Sequence, residues 1–573
     1  MEEVLAIDFG TTNSVMYVCK NHKEELLWNN QTSGENLFPS YVDYNRKNVA
    51  VGFAAKKNMG RPGHFVVTCV KRLIGKTYDE YLKLKKKDIF GCEVVRGDDG
   101  MPYFVVSEDG TKKVNCIDVA CELFKWLKAS AEKIYDRKFT KAYVTKPANY
   151  FDNQVKAIRA AARRAGLTID KMINEPTAAG LSWCVGISKE SKESNDIKVI
   201  QSPGKLKPDE KILVVDFGGG TLDFSVIRYL GDNMFNVEDN SGDPNLGGND
   251  MDSALMQLVL QKLKNEHGID IREFKNQAKK LAQIKEFCEN AKIIGNSYTK
   301  DYDEEDDKKE SNSHKKRHYF NYEEFKQKNN GYVYEVFLTG VFSGDVDCPD
   351  SIYFTFNEVT EAYMKCLEDA IAPLRSIITK PGQTPKEISH VLLVGGSSRL
   401  LLFRQLLYRE GLERTKFEEI DPMTCVAKGA YVLAKMFNDP DFKMKMTERI
   451  AISYGLKSGN NSVVILLKKG QKIPAASQGI SFTNMSDEPA RIEIMAYQCV
   501  DDNGKVEVSI EKCNLIKAWQ FDNPDNYRQP KGEQLLELQF KLEVGGTLKV
   551  TCKDVARNKC LLTGETSVIY ENQ

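Results

Sequence analysis

The sequence predicts a mixed α/β protein of two related lobes around a shared cleft, followed by a smaller antiparallel β unit. The first observation is a pattern that occurs twice: an apolar strand, Asp-Phe-Gly, a nearby threonine and a second strand. The second is the length, because 573 residues exceed what one hydrophobic core usually supports. The third is a change beyond Lys435, where short alternating apolar and polar stretches are separated by turn residues.

The first copy of the pattern reads VLAIDFGTTNS. Four consecutive apolar residues precede Asp8, as expected for a strand that is buried on both faces. Gly10 lets the backbone turn without a Cβ clash, and short polar groups then stand beside free N–H donors at Thr11, Thr12 and Asn13. We expect a strand, a turn and a strand that bind phosphate. A purely structural hairpin with an Asp at its mouth is the alternative.

The second copy reads ILVVDFGGGTLDFSVI. Here Asp216 ends the strand, and the turn contains Gly218, Gly219, Gly220 and Thr221. The repetition predicts that each lobe presents one phosphate hairpin and one carboxylate to the same cleft.

Composition excludes several classes of protein. The 81 Lys and Arg residues balance 81 Asp and Glu residues, so no net field draws the chain to nucleic acid or to a membrane. There is no basic-then-apolar signal segment and no apolar run long enough to cross a bilayer. The fourteen cysteines form no C-x-x-C pair, which argues against zinc and against a disulfide framework. We expect a cytoplasmic protein without nucleic-acid or membrane partners.

Two charged residues stand in unusual places. Lys71 lies within the apolar stretch VVTCVKRLIG. Burial of its ammonium group is energetically unfavourable unless an anion lies beside it. A snorkelling lysine on a surface helix is the alternative. In INEPTAA, Pro176 favours the first turn of a helix and so places Glu175 at its mouth. Glu175 is then either a capping acid or a group that accepts a proton from water.

Two further glycine pairs are candidates for phosphate contact. In SGDPNLGGNDMD, Gly247 and Gly248 either bring backbone N–H groups against phosphate or form a tight turn. In HVLLVGGSSRL, Gly395 and Gly396 follow an apolar strand, which is where open α/β sheets bind nucleotides. The polar residues after this second pair include Ser397 and Arg399.

These features define a domain plan. Residues 1–437 form the two-lobed unit, with lobe I at 1–210 and lobe II at 211–437. Dense acid followed by dense base at 299–330 predicts a solvated insertion, with a partner-docking segment as the alternative. Residues 438–449 are polar and loop-like, which indicates a linker, and 450–573 form a β-sandwich-like unit.

Six motifs resemble those of the 70-kDa heat-shock (DnaK-type) chaperones and occur in that family's order. They read IDFGTTNS, KRLIG, NEPTAA, VVDFGGGTLDFS, LGGNDMD and LLVGGSSR, and cover roughly the first three quarters of the chain. The resemblance implies an actin-like (ribonuclease H-like) ATPase domain, with ATP or ADP and Mg²⁺ between its lobes. The β-rich remainder is similar to a shortened form of the family's peptide-binding sandwich.

The resemblance also implies roles for single residues. Asp8 and Asp216 are expected to hold Mg²⁺ through its waters, as suits an ion that dehydrates reluctantly. Lys71 is expected to face the γ-phosphate and the attacking water, which Glu175 and Asp223 help to orient. Thr11, Thr12 and the backbone from Gly218 to Thr221 are implied to cradle the phosphates. Phosphoryl transfer needs this neutralisation and alignment more than covalent help.

The chain departs from the family in the adenosine pocket. The family's Glu-x-x-Lys-Arg-x-x-Ser run stands here as Glu289, Lys292, Ile293 and Asn296, so one stacking arginine is absent, while Arg399 remains for the other face of the base. Met423 replaces an Asp near the base. Lower nucleotide affinity, or a less strict choice of base, is expected.

The parts that connect the domains in the family differ further. Pro147 is kept, but the arginine that follows it in the family is Val155 here. The linker FNDPDFKMKMTER lacks a run of leucines. With the given sequence ending at Gln573, we expect neither the family's helical lid nor its C-terminal docking tetrapeptide, and weaker coupling between ATP state and peptide binding.

Two functions remain open. The first is an ATP-hydrolysing chaperone that binds unfolded polypeptide clients, with a J-domain co-chaperone or a nucleotide-exchange factor as further partners. The second is a slow or non-hydrolysing, ATP-bound regulator or exchange partner of a conventional chaperone. A metabolite kinase of the same architecture is disfavoured by the NEPTAA and KRLIG motifs and by the β-rich tail. A protein kinase is disfavoured because no Gly-rich loop or His-Arg-Asp signature is present.

Overall fold

A computed structural model describes most of the chain. The described residues are 4–20, 23–27, 36–45, 48–84, 89–187, 199–201, 206–274, 277–309, 331, 333–342, 346–418, 420–438, 445–450, 452–458, 461–499, 505–543 and 547–565. The greater part of the predicted insertion, 310–330, therefore lies outside the described residues, as do 188–198 of the stretch before the second hairpin.

The two lobes contain sheets that are connected in the same way. In each sheet the first three strands form an antiparallel meander, and two later strands join in parallel beside the first strand. The lobe I sheet consists, in spatial order, of Lys23–Leu26, Asn13–Lys20, Leu5–Asp8, Lys141–Lys146 and Thr168–Asn174, with Phe38–Pro39 paired to the second of these. The lobe II sheet consists of Lys445–Thr447, Met234–Asp243, Leu222–Gly231, Lys211–Phe217, His390–Val394 and Lys416–Glu418. This shared topology confirms the two-lobed, actin-like fold.

Helices cover both sheets. Those of lobe I are Phe53–Lys56, Tyr78–Leu82, Cys116–Tyr135, Asp152–Arg164 and Glu175–Cys184. Those of lobe II are Gly248–His267, Gln277–Lys309, Phe356–Ile378, Leu401–Arg409 and Cys425–Asn438. Smaller sheets pair Val42–Tyr44 with Val49–Val51 and Val66–Val67, Pro102–Val105 with Val94–Arg96 and Lys113–Asn115, Val185–Ile187 with Val199–Gln201, and Val333–Phe337 with Ser351–Thr355.

One helix pair joins the lobes. The helix Glu175–Cys184, called the cleft helix, packs on Cys425–Asn438 within a core that takes side chains from both large sheets. Gly429 permits this contact, because a Cβ there would lie 1.8 Å from the carbonyl oxygen of Ala178. The two lobes are therefore in direct contact through this helix pair.

The last part of the chain is a β sandwich, as predicted. Its first sheet consists of Glu507–Ser509, Ser462–Leu467, Ser453–Lys457, Arg491–Cys499 and Cys513–Asp522. Its second sheet consists of Ala475–Ala476 and Ile480–Thr483, both paired to Leu535–Leu542, followed by Leu548–Asp554 and Lys559–Glu565. Alternating burial along Leu548–Asp554 reflects one face in the core and one outside.

One local expectation is wrong, and two other segments have structure that the sequence did not indicate. Residues 445–447 of the linker are a strand, paired in parallel with Met234–Asn236, because the edge of the lobe II sheet offers unpaired backbone groups. The first residues of the predicted insertion, 299–309, continue the helix Gln277–Lys309, since no Gly or Pro interrupts the sequence after Gly295. The solvated insertion itself stays a prediction. Residues 199–201 pair with 185–187 as a strand.

The expectation about cysteines also needs correction. Cys499 and Cys513 are bonded as a disulfide between adjacent strands, whereas eleven other cysteines of the described chain are free. The sequence alone could not show this pairing, because the two residues meet only when their strands align in register. Within the described ranges, no helix is long and apolar enough to span a membrane.

Candidate functional site

The turns of the two hairpins face each other across the cleft. A Cβ at Gly220 would lie 2.5 Å from Thr11 Cγ2, and a Cβ at Gly219 would lie 2.2 Å from Thr12 Oγ1. Only glycine permits this approach, so the predicted juxtaposition of the two turns has a steric reason. The second turn is closed by Gly218 N–H, which donates to the carbonyl of Thr221 at 3.0 Å.

The first turn is equally tight. A Cβ at Gly10 would lie 1.8 Å from the carbonyl oxygen of Asn13, so glycine is required there. Ser40 supports the turn, because its hydroxyl donates to the carbonyl of Gly10 at 2.8 Å and its N–H donates to the carbonyl of Thr12 at 2.8 Å.

The two other glycine pairs lie against the turn of the second hairpin. A Cβ at Gly247 would lie 2.5 Å from Gly220 N, and one at Gly248 would lie 2.4 Å from Ser397 Oγ. Gly395 has a φ of 79° and lies against the carbonyl of Phe217. Ser397 Oγ donates to the carbonyl of Gly218 at 2.8 Å. The four glycine-rich turns named from the sequence therefore converge, with Gly396 following Gly395 in the last of them.

Lys71 is buried against a carboxylate. Its Nζ lies 2.5 Å from Glu175 Oε1, and both side chains are almost fully buried. Glu175 is the first residue of the cleft helix, with Pro176 next, as expected. The snorkelling alternative for Lys71 is wrong, because the side chain is only 2% exposed.

Three more carboxylates share this space. Burial, and then the charge of Glu175, raise the pKa of Asp8 to about 6 and the pKa of Asp223 to about 8. The pKa of Asp216 lies well above its ordinary range for the same reasons, with added repulsion from Asp223 and Asp8. The positive charge of Lys71 acts in the opposite direction and lowers the pKa of all three carboxyl groups. Lys146 also lowers the pKa of Asp223, so the buried space contains four carboxyl groups and two ammonium groups, an excess of acidic over basic groups.

This charge excess fits a divalent cation with phosphates. Thr12 Oγ1 and Asp223 Oδ2 are buried atoms without a hydrogen-bond partner among the described residues, so each has capacity for a ligand or water. In the described part of the chain, no group of three or more His, Cys, Asp or Glu side chains is close enough to ligate a metal directly. That spacing suits a Mg²⁺ ion held through its waters by Asp8 and Asp216.

Sequence reasoning missed three residues that hydrogen-bond to two of these carboxylates and to the backbone of Lys71. Thr145 Oγ1 donates to Asp8 Oδ1 at 2.8 Å, and Asn149 Nδ2 donates to Asp223 Oδ1 at 3.2 Å. Tyr150 donates its hydroxyl to the carbonyl of Lys71 at 2.6 Å. All three come from the strand Lys141–Lys146 or the loop after it. A polar residue at the carboxyl end of a parallel strand was the available signal.

The residues of the expected adenosine pocket are brought together only in part. Asn296 Nδ2 donates to the carbonyl of Arg399 at 3.1 Å, so these two residues are neighbours. Lys292 is engaged by Asp252 at 2.6 Å. Glu289 pairs with Lys56 of lobe I at 3.1 Å and thus spans the cleft.

The positions at which the chain departs from the family belong to this same expected adenosine pocket. Ile293, which replaces an arginine of the family's motif, is 58% exposed. Met423 lies next to the last glycine turn, with its Sδ 3.6 Å from where a Cβ of Gly396 would be. Arg399 has a half-exposed side chain that can reach a ligand.

The fold and the site define a class: a two-lobed, ribonuclease H-like nucleotide-binding domain followed by a β sandwich. The family model for the Hsp70 protein matches residues 4–305 and 344–563. The chain is also similar to the mitochondrial heat shock 70 kDa protein of Dictyostelium discoideum, with 26% identity over 559 residues, which are 97% of this chain and 74% of that protein. The chain belongs to the Hsp70 family. It is a chaperone of the Hsp70 kind, a family that binds nucleotide with Mg²⁺ and acts on unfolded polypeptides.

Proposed function

We propose that this protein is an ATP-dependent chaperone that binds and hydrolyses Mg-ATP and binds unfolded polypeptide. The observation that carries the proposal is the buried Lys71–Glu175 pair beside three carboxylates whose pKa values are raised. Together with a bound Mg²⁺, such a set would neutralise the charge of a triphosphate and align a water for in-line attack.

Each residue has a role in this proposal. Asp8 and Asp216 hold Mg²⁺ through water, and Lys71 neutralises the γ-phosphate. Glu175 and Asp223 orient the attacking water, and Thr221 with the glycine turns supplies hydroxyl and N–H donors to phosphate oxygens. Bound Mg²⁺ would supply charge neutralisation at these oxygens.

The domain limits are part of the same proposal. Residues 1–437 form the nucleotide-binding unit, 438–449 the linker and 450–573 the substrate-binding unit. A J-domain co-chaperone and a nucleotide-exchange factor are proposed partners. A cytoplasmic location stays a prediction; the Dictyostelium relative is mitochondrial by name.

A slow or non-hydrolysing regulator of a conventional chaperone is the second candidate. The specific observation that favours it is the exposed Ile293 in place of a stacking arginine. In addition, Glu289 and Lys292 already form ion pairs with other side chains of this chain. Nucleotide would then bind chiefly through its phosphates and turn over slowly.

Single-turnover hydrolysis of ATP at fixed Mg²⁺, with increasing unfolded polypeptide, separates the two candidates. The chaperone proposal expects hydrolysis that polypeptide stimulates and that Lys71→Ala reduces by about 10²-fold or more. Lys138→Ala is the matched control, because Lys138 is an 87% exposed lysine of the same lobe. ATP binding without hydrolysis in the unmutated protein would favour the regulator.

A further inference from the structure

The β sandwich contacts lobe I through a small polar surface on the helix Asp152–Arg164. The N–H of Asp152 donates to Gln498 Oε1 at 2.7 Å, and Lys156 Nζ, one turn later, donates to the carbonyl of Ile516 at 3.0 Å. The two acceptors lie on neighbouring strands, Arg491–Cys499 and Cys513–Asp522, here called the docking strands.

A bulge separates these contacts from the rest of the docking strands. Ala496 pairs with Lys517 and Tyr497 pairs with Leu515, so Ile516 is the extra residue between them. A bulged residue is left unpaired in the ladder, which frees its carbonyl for Lys156. The bulge therefore explains why a backbone acceptor is available at this place.

Only three residue pairs of the two strands lie beyond the bulge. They are Tyr497 with Leu515, Gln498 with Asn514 and Cys499 with Cys513, and the last pair is the disulfide, with Cα atoms 4.2 Å apart. Residues 497–499 are also paired with 453–455 on their other side, whereas 513–515 belong to the edge strand of the sheet. A short edge segment beyond an irregularity opens easily unless something holds it. The disulfide is the covalent tie at the open end, one residue from Gln498 and three from Ile516.

We propose that Cys499 and Cys513 form a thiol switch that controls the docking of the sandwich on lobe I. With the disulfide closed, the segment beyond the bulge is held and both acceptors face the helix Asp152–Arg164. With the thiols reduced, the edge segment 513–515 separates from 497–499 and the carbonyl of Ile516 leaves its position, so Lys156 loses its acceptor. The switch in docking does not depend on the proposed function, because docking is measured directly. Only its effect on ATP hydrolysis and polypeptide binding rests on the proposed function.

The chemistry of closure needs an oxidant, for which we name a small-molecule disulfide such as oxidised glutathione. Cys513 is partly accessible whereas Cys499 is 1% exposed, so Cys513 reacts first. Its thiolate attacks one glutathione sulfur and expels one glutathione thiolate; Cys499 then attacks Cys513 Sγ and expels the second. Two protein thiols become one disulfide, one glutathione disulfide becomes two thiols, and the protons pass to the released thiolates.

The test is hydrogen exchange of the full chain, without nucleotide, in glutathione buffers of defined ratio. We expect peptides that span 150–165 to exchange at least about threefold more slowly in the oxidised protein than in the reduced protein. Mass spectrometry of the same samples reports the Cys499–Cys513 bond. Because no hydrolysis is measured, failure here is distinguishable from failure of the proposed ATPase.

Three variants make the result specific. Cys513→Ser should remove the redox dependence and exchange as the reduced protein does. Cys560→Ser should keep it, because Cys560 is an exposed free cysteine of the same sandwich. Gln498→Leu removes an acceptor without touching either thiol and should exchange fast in both buffers. Equal protection of 150–165 in both buffers, a redox difference that survives in Cys513→Ser, or no bond between the two cysteines in oxidising buffer would overturn the proposal.

Discussion

Arg72 of lobe I and Asp250 of lobe II form a buried ion pair across the cleft, with Nη2 and Oδ2 2.6 Å apart. The same guanidinium donates through Nε to the carbonyl of Gly220 at 3.0 Å, and Asp250 also accepts the N–H of Gly247 at 2.8 Å. One arginine thus holds a phosphate turn and a helix start of the opposite lobe. The lobes are therefore tied together at the glycine turn that is proposed to bind phosphate.

Removal of this arginine should destabilise the nucleotide-free protein. Arg72→Met leaves Asp250 buried without its main counter-charge, which costs about 3–5 kcal/mol of unfolding free energy. Urea unfolding measures the change. Arg96→Met is the control, because Arg96 pairs with Asp79 on the surface of the same lobe, where such a pair contributes about 0–1 kcal/mol. Equal losses of unfolding free energy in the two variants would contradict the role of the Arg72–Asp250 pair in joining the lobes.

The facing turns predict a contrast between two glycines of one loop. Gly220→Ala places a Cβ 2.5 Å from Thr11 Cγ2 and should lower the unfolding free energy by about 1–3 kcal/mol. In Gly218→Ala the nearest atom is 3.7 Å away, an ordinary contact, so little change is expected. Thermal unfolding without nucleotide checks both variants. A loss at Gly218 as large as that at Gly220 would argue against close approach of the turns.

The raised carboxylate pKa values predict proton release on binding of Mg-nucleotide. At pH 7 Asp223, with a pKa of about 8, carries a proton in the nucleotide-free protein, and a bound cation favours its ionised form. Binding calorimetry at pH 7 in buffers of different ionisation enthalpy should therefore report protons released. Asp223→Asn should reduce the number of protons released. A binding enthalpy that does not depend on the buffer in the unmutated protein would refute the raised pKa of Asp223.

The same shifts predict how stability without nucleotide depends on pH. The folded state binds more protons than the unfolded state between the ordinary pKa of 3.8 and the raised values of about 6 for Asp8 and about 8 for Asp223. The contribution of these two groups is therefore fully present below pH 3.8 and is lost as pH rises to about 8. Comparison of urea unfolding at pH 6 and pH 8 with that of Asp223→Asn isolates the contribution. The variant should lose less stability over this interval than the unmutated protein.

The adenosine side predicts a gain of affinity. Ile293→Arg restores a guanidinium that can stack on an adenine face, which is expected to tighten ATP binding by about 3- to 10-fold. Ile294→Arg is the matched control, because the neighbouring side chain is similarly exposed at 49% but is outside the family's motif. Titration with a fluorescent ATP analogue measures both. Equal gains in the two variants would indicate added positive charge rather than stacking.

Local patterns in the sequence determined the two hairpins, the position of Glu175 at a helix start, the glycine turns and the β sandwich. Each depends on residues close together in the chain: apolar runs that make buried strands, glycines that make turns, and Pro176 in a first helical turn. Only the tertiary structure decided that residues 445–447 pair with lobe II, that Arg72 reaches Asp250 and that Cys499 meets Cys513. The physical reason is that these contacts join segments far apart in the chain, and their geometry depends on how whole sheets twist and pack rather than on any local preference.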